Sequence, residues 1–161
     1  MPLLLVILCL LAPPASADLL AGRVFAVIDG DTVLFRPDTA STTRAFFRLR
    51  LADIDAPESG QPHGGDAKRA LATLALERRA TVDTRATDRY GRQVGDLVVD
   101  GRRLNAELVR AGHAWASRWR PDPALVRLEH EARAARRGLW ADSDAVPPWR
   151  WRATHQKNIS E

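Results

Sequence analysis

The chain has 161 residues, 45% of them hydrophobic and 27% charged. That composition excludes a disordered tail, and the length suits one domain with a single core and leaves little room for a second. With 24 Lys+Arg against 20 Asp+Glu the net charge is +4, which invites an anionic partner (nucleic acid or an acidic membrane surface) and is equally compatible with simple solubility. Lys68 and Lys157 are the only lysines, so the remaining cations are arginines.

Met1 to Ala17 carries no charged side chain, and Leu3 to Ala12 is an unbroken apolar run. Pro13-Pro14-Ala15-Ser16-Ala17 follows, with small residues at the Ala15-x-Ala17 spacing that a signal peptidase needs. The run is too short to cross a bilayer as a helix. The expectation is a secretory signal in residues 1–17, with a mature chain from Asp18 exported to the periplasm or the medium; a buried first strand is the alternative. Cys9, the only cysteine, leaves with the signal. The mature chain would then be held by its core or by a ligand, without disulfides.

Val24 to Ile28 reads as a strand, Asp29-Gly30 as a tight turn, and Thr32 to Phe35 as the return strand. Arg44 to Asp53 alternates, with Phe47, Leu49 and Leu51 on one face and Arg48 and Arg50 on the other. After a Gly/Pro/Ser loop over 57–65, Asp66 is expected to cap a helix from Ala67 to about Arg79, buried along Leu71, Leu74 and Ala75. Strands are expected at Thr81–Thr87 and Val94–Val99, then a helix over Leu104–Ala111 stopped by Gly112. Asp122-Pro123 opens a last helix whose core face is Leu125, Leu128, Ala132 and Ala135, ending near Gly138. Strands followed by helices indicate an α+β, mainly β, Greek-key barrel of five strands capped by helices. The domain would span 18–146, with residues 147–161 as a Trp/Arg-containing tail whose packing is left open.

Five acidic residues stand at turns and strand ends: Asp29, Asp31, Asp53, Asp55 and Glu58. Two such turns, brought together by a sheet, could offer oxygen ligands to a hard divalent cation. Arg50 leaves its strand five residues before Asp55, and Arg92 follows a turn that starts at Asp88; guanidinium groups make bidentate contacts to phosphate oxygens. The four histidines form no pair at zinc-ligand spacing.

Three stretches, Val27-Ile28-Asp29-Gly30-Asp31-Thr32-Val33, Arg50 to Glu58 and Asp88-Arg89-Tyr90-Gly91-Arg92, resemble the signature segments of the staphylococcal nuclease (thermonuclease) family. Leu104 to Gly112 resembles that family's second helix, and Gly138-Leu139-Trp140 the close of its last one. The resemblance implies an OB-fold barrel with about three helices and Ca²⁺-dependent hydrolysis of phosphodiester bonds in DNA and RNA, endonucleolytic and with 3′-phosphate products. Carried over by position, Asp31 and Asp55 would bind the ion, with the backbone carbonyl of Ala56 as a third ligand. Mg²⁺ remains an alternative. Glu58 would be the general base or orient the attacking water, and Arg50 and Arg92 would hold the phosphate in the transition state. Arg89, Tyr90 and Trp119 would contact the substrate. The type member has threonine at Ala56 and an aromatic at Ser117, for which Trp115 could compensate. The partners implied are DNA and RNA, preferably single-stranded or locally melted, bound by a monomer with no membrane anchor after signal removal. A non-catalytic OB-fold module that binds nucleic acid or protein is the alternative. A third reading, a basic Trp-Arg tail touching anionic lipid, rests on four residues.

Overall fold

The computed structural model describes residues 19–39 and 46–155. The expected signal in 1–17, and Arg44 at the head of the third predicted strand, lie outside these.

Strands β1 (Leu19–Val27), β2 (Thr32–Pro37), β3 (Phe47–Leu51), β5 (Arg79–Thr87) and β6 (Gln93–Val99) run in the order β3-β2-β1-β5-β6. All neighbours are antiparallel, and β6 returns to pair in parallel with β3, opposing Leu49 to Gln93 and Leu51 to Gly95. That last pairing closes the sheet into a barrel and removes its edges. Register shifts between Val24 and Ala26 in β1, and between Thr84 and Ala86 in β5, mark irregularities where long strands bend around the barrel. The alternation read in β3 holds: Leu49 and Leu51 are buried, and Arg48 and Arg50 are on the other face. Leu49 and Leu51 meet Val24, Val33, Phe35, Val82 and Leu97 in one core. The architecture is the α+β OB-fold barrel that the sequence implies.

Two short pairings could not be read from periodicity. β4 (Ile54–Asp55) pairs with β8 (Trp115–Ala116), and β7 (Arg102–Arg103) extends the sheet beside β6. Two residues are too few to display an alternation, yet the first of these ladders fixes the backbone of Asp55.

Helix α1 spans Gly64–Ala75, beginning and ending earlier than predicted. Asp66 is not its cap but lies in the first turn, paired with Arg69. The start is set instead by Gly64: a Cβ there would sit 1.9 Å from the carbonyl oxygen of Glu58, so only glycine lets the helix pack against that loop. Glu77 at φ 59° turns the chain out of the helix and into β5.

Helix α2 (Leu104–Arg110) buries Leu104, Leu108 and Val109, and α3 (Pro123–Ala134) is capped as predicted, Ala124 N donating to Asp122 Oδ1 at 2.8 Å. Leu125 and Ala132 are buried, whereas Ala135, expected on the core face, lies past the end of α3 and is exposed. A 3₁₀ turn over Gly138–Ala141 tucks Leu139 inward, its N–H donating to Gly112 O at 2.9 Å. The tail supplies a fourth helix, α4 (Pro148–His155), where the sequence implied about three. Trp149 of α4 stands edge-on to Trp115 at 6.4 Å between ring centroids, and Gln61 Nε2 donates to Val146 O just ahead of it.

Candidate active site

The β1–β2 hairpin, the β3–β4 exit and the β5–β6 turn open on one side of the barrel. There, Asp29, Asp31, Arg50, Asp55, Ala56, Pro57, Glu58, Arg89, Tyr90, Arg92 and Arg152 line a cleft of about 420 Å³. Every site residue expected from the sequence except Trp119 belongs to it.

Asp31 ends the hairpin loop with its backbone N–H donating to Asp29 Oδ1 at 3.0 Å. Its carboxylate accepts from Thr32 Oγ1 at 3.1 Å, from Ala56 N at 2.8 Å and from Arg50 Nη1 at 3.0 Å. Its residue is only 6% exposed. Burial pushes the Asp31 carboxyl up to about 7, against the lowering pull of Arg50. Arg50 is a bridge: Nη2 donates to Asp55 Oδ1 at 3.0 Å while Nη1 also reaches Leu51 O at 3.0 Å. One guanidinium thus ties the ends of two turns together.

Glu58 sits on the loop between β4 and α1. Its N–H donates to Gln61 Oε1 at 3.1 Å, and Gln61 N returns a bond to Glu58 O at 2.9 Å. The Glu58 side chain is 40% exposed, so part of its carboxylate meets solvent in the cleft. Arg92 is aimed by its own turn: its Nε donates to Asp88 Oδ2 at 2.8 Å and its N–H to Asp88 Oδ1 at 3.0 Å. Burial raises the Asp88 carboxyl, but the bonds from Arg92 and Tyr90 outweigh it and hold Asp88 below its ordinary value.

Tyr90 is exposed, with the Arg89 guanidinium 4.8 Å and the Arg92 guanidinium 5.5 Å from its ring centroid. Trp119 is 77% exposed and lines an adjoining hollow with Arg118, Trp149, Arg50, Asp55 and Arg152. Trp115 does not compensate for Ser117: it is 3% exposed and packs edge-on against Trp140.

Sequence reasoning missed three residues that shape this site. Arg152, in the tail, donates from Nη1 to Glu58 Oε1 at 2.5 Å and from Nη2 to Asp55 Oδ2 at 2.8 Å. Its hydrogen bonds to Asp55, then to Glu58, raise its already high proton affinity further. Gln61 is buried and joins the Glu58 loop to the tail. Asn105 of α2 is wholly buried, accepting from Leu97 N at 3.2 Å and donating to Ala52 O at 2.8 Å. It fixes the corner between Arg50 and Asp55. No periodic or local signal marks Arg152 or Gln61; Asn105 falls in the stretch Leu104 to Gly112 that resembles the family's second helix, but nothing there shows that its side chain is buried.

The carboxylates of Asp31 and Asp55 are hard oxygen donors. Arg50 alone leaves the buried Asp31 short of positive charge, so the donor set fits a divalent cation such as Ca²⁺ or Mg²⁺. Among the described residues no three Asp, Glu, His or Cys side chains are gathered as a finished cage; the oxygens face arginines instead. Neither serine, cysteine nor histidine lines the cleft, so the lining offers no protein nucleophile of those kinds.

A barrel mouth with acidic oxygens on one wall and guanidinium groups on the others is the site of a phosphodiester-cleaving hydrolase. Comparison with known proteins agrees. Residues 48–142 match the family described as "Staphylococcal nuclease homologue". The chain is 44% identical over 153 residues to "Protein ParB" of Escherichia coli, covering 88% of this chain and 83% of that protein. It is 42% identical over 147 residues to an "Uncharacterized endonuclease" of Escherichia coli O157:H7, with 90% and 91% covered. To the "Micrococcal nuclease" of Shigella flexneri it is 39% identical over 158 residues, with 91% and 87% covered. The chain belongs to the staphylococcal nuclease family.

Proposed function

We propose that the protein is an exported, Ca²⁺-dependent endonuclease that hydrolyses DNA and RNA and leaves 3′-phosphate ends. The observation that carries this reading is the convergence of Asp31, Asp55, Glu58, Arg50 and Arg92 in one cleft. The relatives named endonuclease and micrococcal nuclease support the same chemistry.

A phosphodiester carries a negative charge that repels hydroxide, so its cleavage needs positive charge around the non-bridging oxygens and a proton acceptor for water. When bound by Asp31 and Asp55, with Ala56 offering its carbonyl, the metal would supply Lewis acidity to the phosphate. Glu58 takes a proton from the attacking water, whose oxygen bonds to phosphorus as the bond to the 5′ oxygen breaks. The 5′ oxygen takes a proton from solvent water and leaves as a 5′-hydroxyl, the phosphate remains on the 3′ side, and Glu58 returns its proton to solvent. Arg92, steered by Asp88, faces the charge that builds on phosphorus and on the leaving oxygen. Arg50, anchored to Leu51 O, holds a fixed guanidinium against the phosphate.

Arg89 and Tyr90 on one side and Trp119 on the other offer cationic and aromatic surface to the sugar-phosphate chain and its bases. Stacking of this kind needs bases out of the duplex, which favours single-stranded or breathing substrate. The apolar run Leu3–Ala12 and the small residues Ala15 and Ala17 after it support export, with cleavage after Ala17 and a monomeric product. No described helix is long and apolar enough to cross a membrane. The test is incubation of the chain from Asp18 with end-labelled single-stranded DNA and RNA, followed by treatment of the products with a 3′-phosphatase. Product mobility that shifts on this treatment is expected; products already ending in 3′-hydroxyl would contradict the assignment. N-terminal sequencing of exported protein should begin at Asp18.

A further inference from the structure

α4 carries an arginine onto the carboxylates proposed to hold a cation. Arg152 covers Asp55 with two bonds, Nη2 to Oδ2 at 2.8 Å and Nη1 to Oδ1 at 3.3 Å, while Nη1 also meets Glu58 Oε1 at 2.5 Å. Arg50 already holds Asp55 Oδ1 at 3.0 Å. Both oxygens of Asp55 are therefore taken by guanidinium groups, and Oδ2 is taken by Arg152.

The two arginines are not equivalent. Arg50 rises from the closed barrel, is anchored to Leu51 O and has a side chain only 17% exposed. Arg152 hangs from an eight-residue helix that packs only lightly on other elements, is twice as exposed, and reaches the site from 97 residues away in sequence. Apart from Arg152, this end of the chain is held by Trp149 beside Trp115 and Arg118, and by Gln61 on Val146 O. A divalent ion that takes the lone pairs of Asp55 repels both guanidinium groups. Arg152 is the one free to leave.

We infer that Arg152 is the resident counter-cation of the metal-free site, and that a divalent ion displaces it from Asp55 and loosens α4 from the cleft. The inference rests on the metal-dependent reading above. Arg152 is a positioning residue: it holds Asp55 and Glu58 together while no ion is present, keeps the Glu58 carboxylate paired, and sets how tightly the ion binds. Metal uptake frees Glu58 and a guanidinium at the cleft rim in the same step.

Calcium binding is measured by calorimetry on the full mature chain without nucleic acid, for wild type, Arg152→Gln, Arg152→Lys and the control Arg150→Gln. Loss of a competing cation should tighten Ca²⁺ binding by about tenfold in Arg152→Gln, a size usual for two ligands that exclude each other. Arg152→Lys, which keeps the charge but not the fork, should fall between, and Arg150→Gln should match wild type. Independently of any variant, amide exchange over 148–155 of the wild type should speed up on adding Ca²⁺. Unchanged or weaker Ca²⁺ binding by Arg152→Gln, equal tightening by Arg150→Gln, or an α4 equally or better protected with Ca²⁺ overturns the inference while leaving the nuclease reading intact. Wild-type protein that takes up no divalent ion overturns the metal reading and the inference together.

Discussion

Removing the Arg50 guanidinium takes a partner from two carboxylates at once, because Nη1 serves Asp31 and Nη2 serves Asp55. In the proposed mechanism Glu58 and Arg92 carry the other two tasks, proton transfer and charge stabilisation. Arg50→Ala, Arg92→Ala and Glu58→Gln should each lower turnover by about 10²-fold or more, with folding intact for the latter two, measured by steady-state cleavage of a fluorogenic oligonucleotide. An Arg92→Ala protein with near-normal turnover would remove Arg92 from the chemistry. Asp88 works through Arg92, and its depressed pKa fixes a sign. A carboxyl lowered on folding adds stability above its unfolded value of 3.8 and loses it as pH falls through the lower native value. The stability difference between wild type and Asp88→Asn should therefore be present at pH 7 and vanish in acid; urea melts at both pH values test this. At this scale the sequence was legible where residues lie close in the chain, as with Asp31 beside its turn or Arg92 after Asp88. Arg152 was illegible because its partner lies 97 positions away and nothing in Trp149-Arg150-Trp151-Arg152 distinguishes its two arginines. Trp115 and Trp119 differ only in burial, which a sequence four residues apart does not disclose.

The elements that aim the site are tied to the barrel by a few buried polar groups. Asn105 joins α2 to β6 and to the Ala52 corner through Leu97 N and Ala52 O. Its replacement by alanine leaves those backbone groups unpaired, and should cost about 3 kcal/mol in a urea melt. Catalysis should fall with it, since Ala52 lies between Arg50 and Asp55. Gly112 holds the closing turn of the C-terminal third: its φ is +74°, and a Cβ would lie 2.1 Å from Arg137 O. Gly112→Ala should therefore destabilise the packing of α2 against the Leu139 turn. The period-2 and period-3.6 patterns announced β3, α2 and α3 because each buries one face. They could not announce β4 and β8, which are two residues long and defined by their partner. The boundaries of α1 escaped for a related reason: its start is set by close approach to the Glu58 loop, a tertiary constraint.

For the molecule as a whole, the closed barrel turns a scattered set of turn residues into one cleft. Strand order brings the hairpin at Asp31, the exit at Asp55 and the turn at Arg92 to a single mouth, because β3 pairs with β2 on one side and with β6 on the other. An arginine-lined cleft binds its anionic partner through displaced counterions. Affinity for a single-stranded oligonucleotide, read by fluorescence anisotropy with chelator present, should fall with log[salt] at about 0.7 of slope per phosphate held. Arg89→Ala should reduce that slope by about the same amount. The most direct test of the account is cleavage by the chain from Asp18 of end-labelled single-stranded DNA and RNA, with Ca²⁺, with Mg²⁺ and with chelator. Cutting should require a divalent ion, be strongest with Ca²⁺ and stop on chelation. Salt-sensitive binding with no cutting under any metal would contradict it, and would make the cleft a nucleic-acid-binding surface without catalysis.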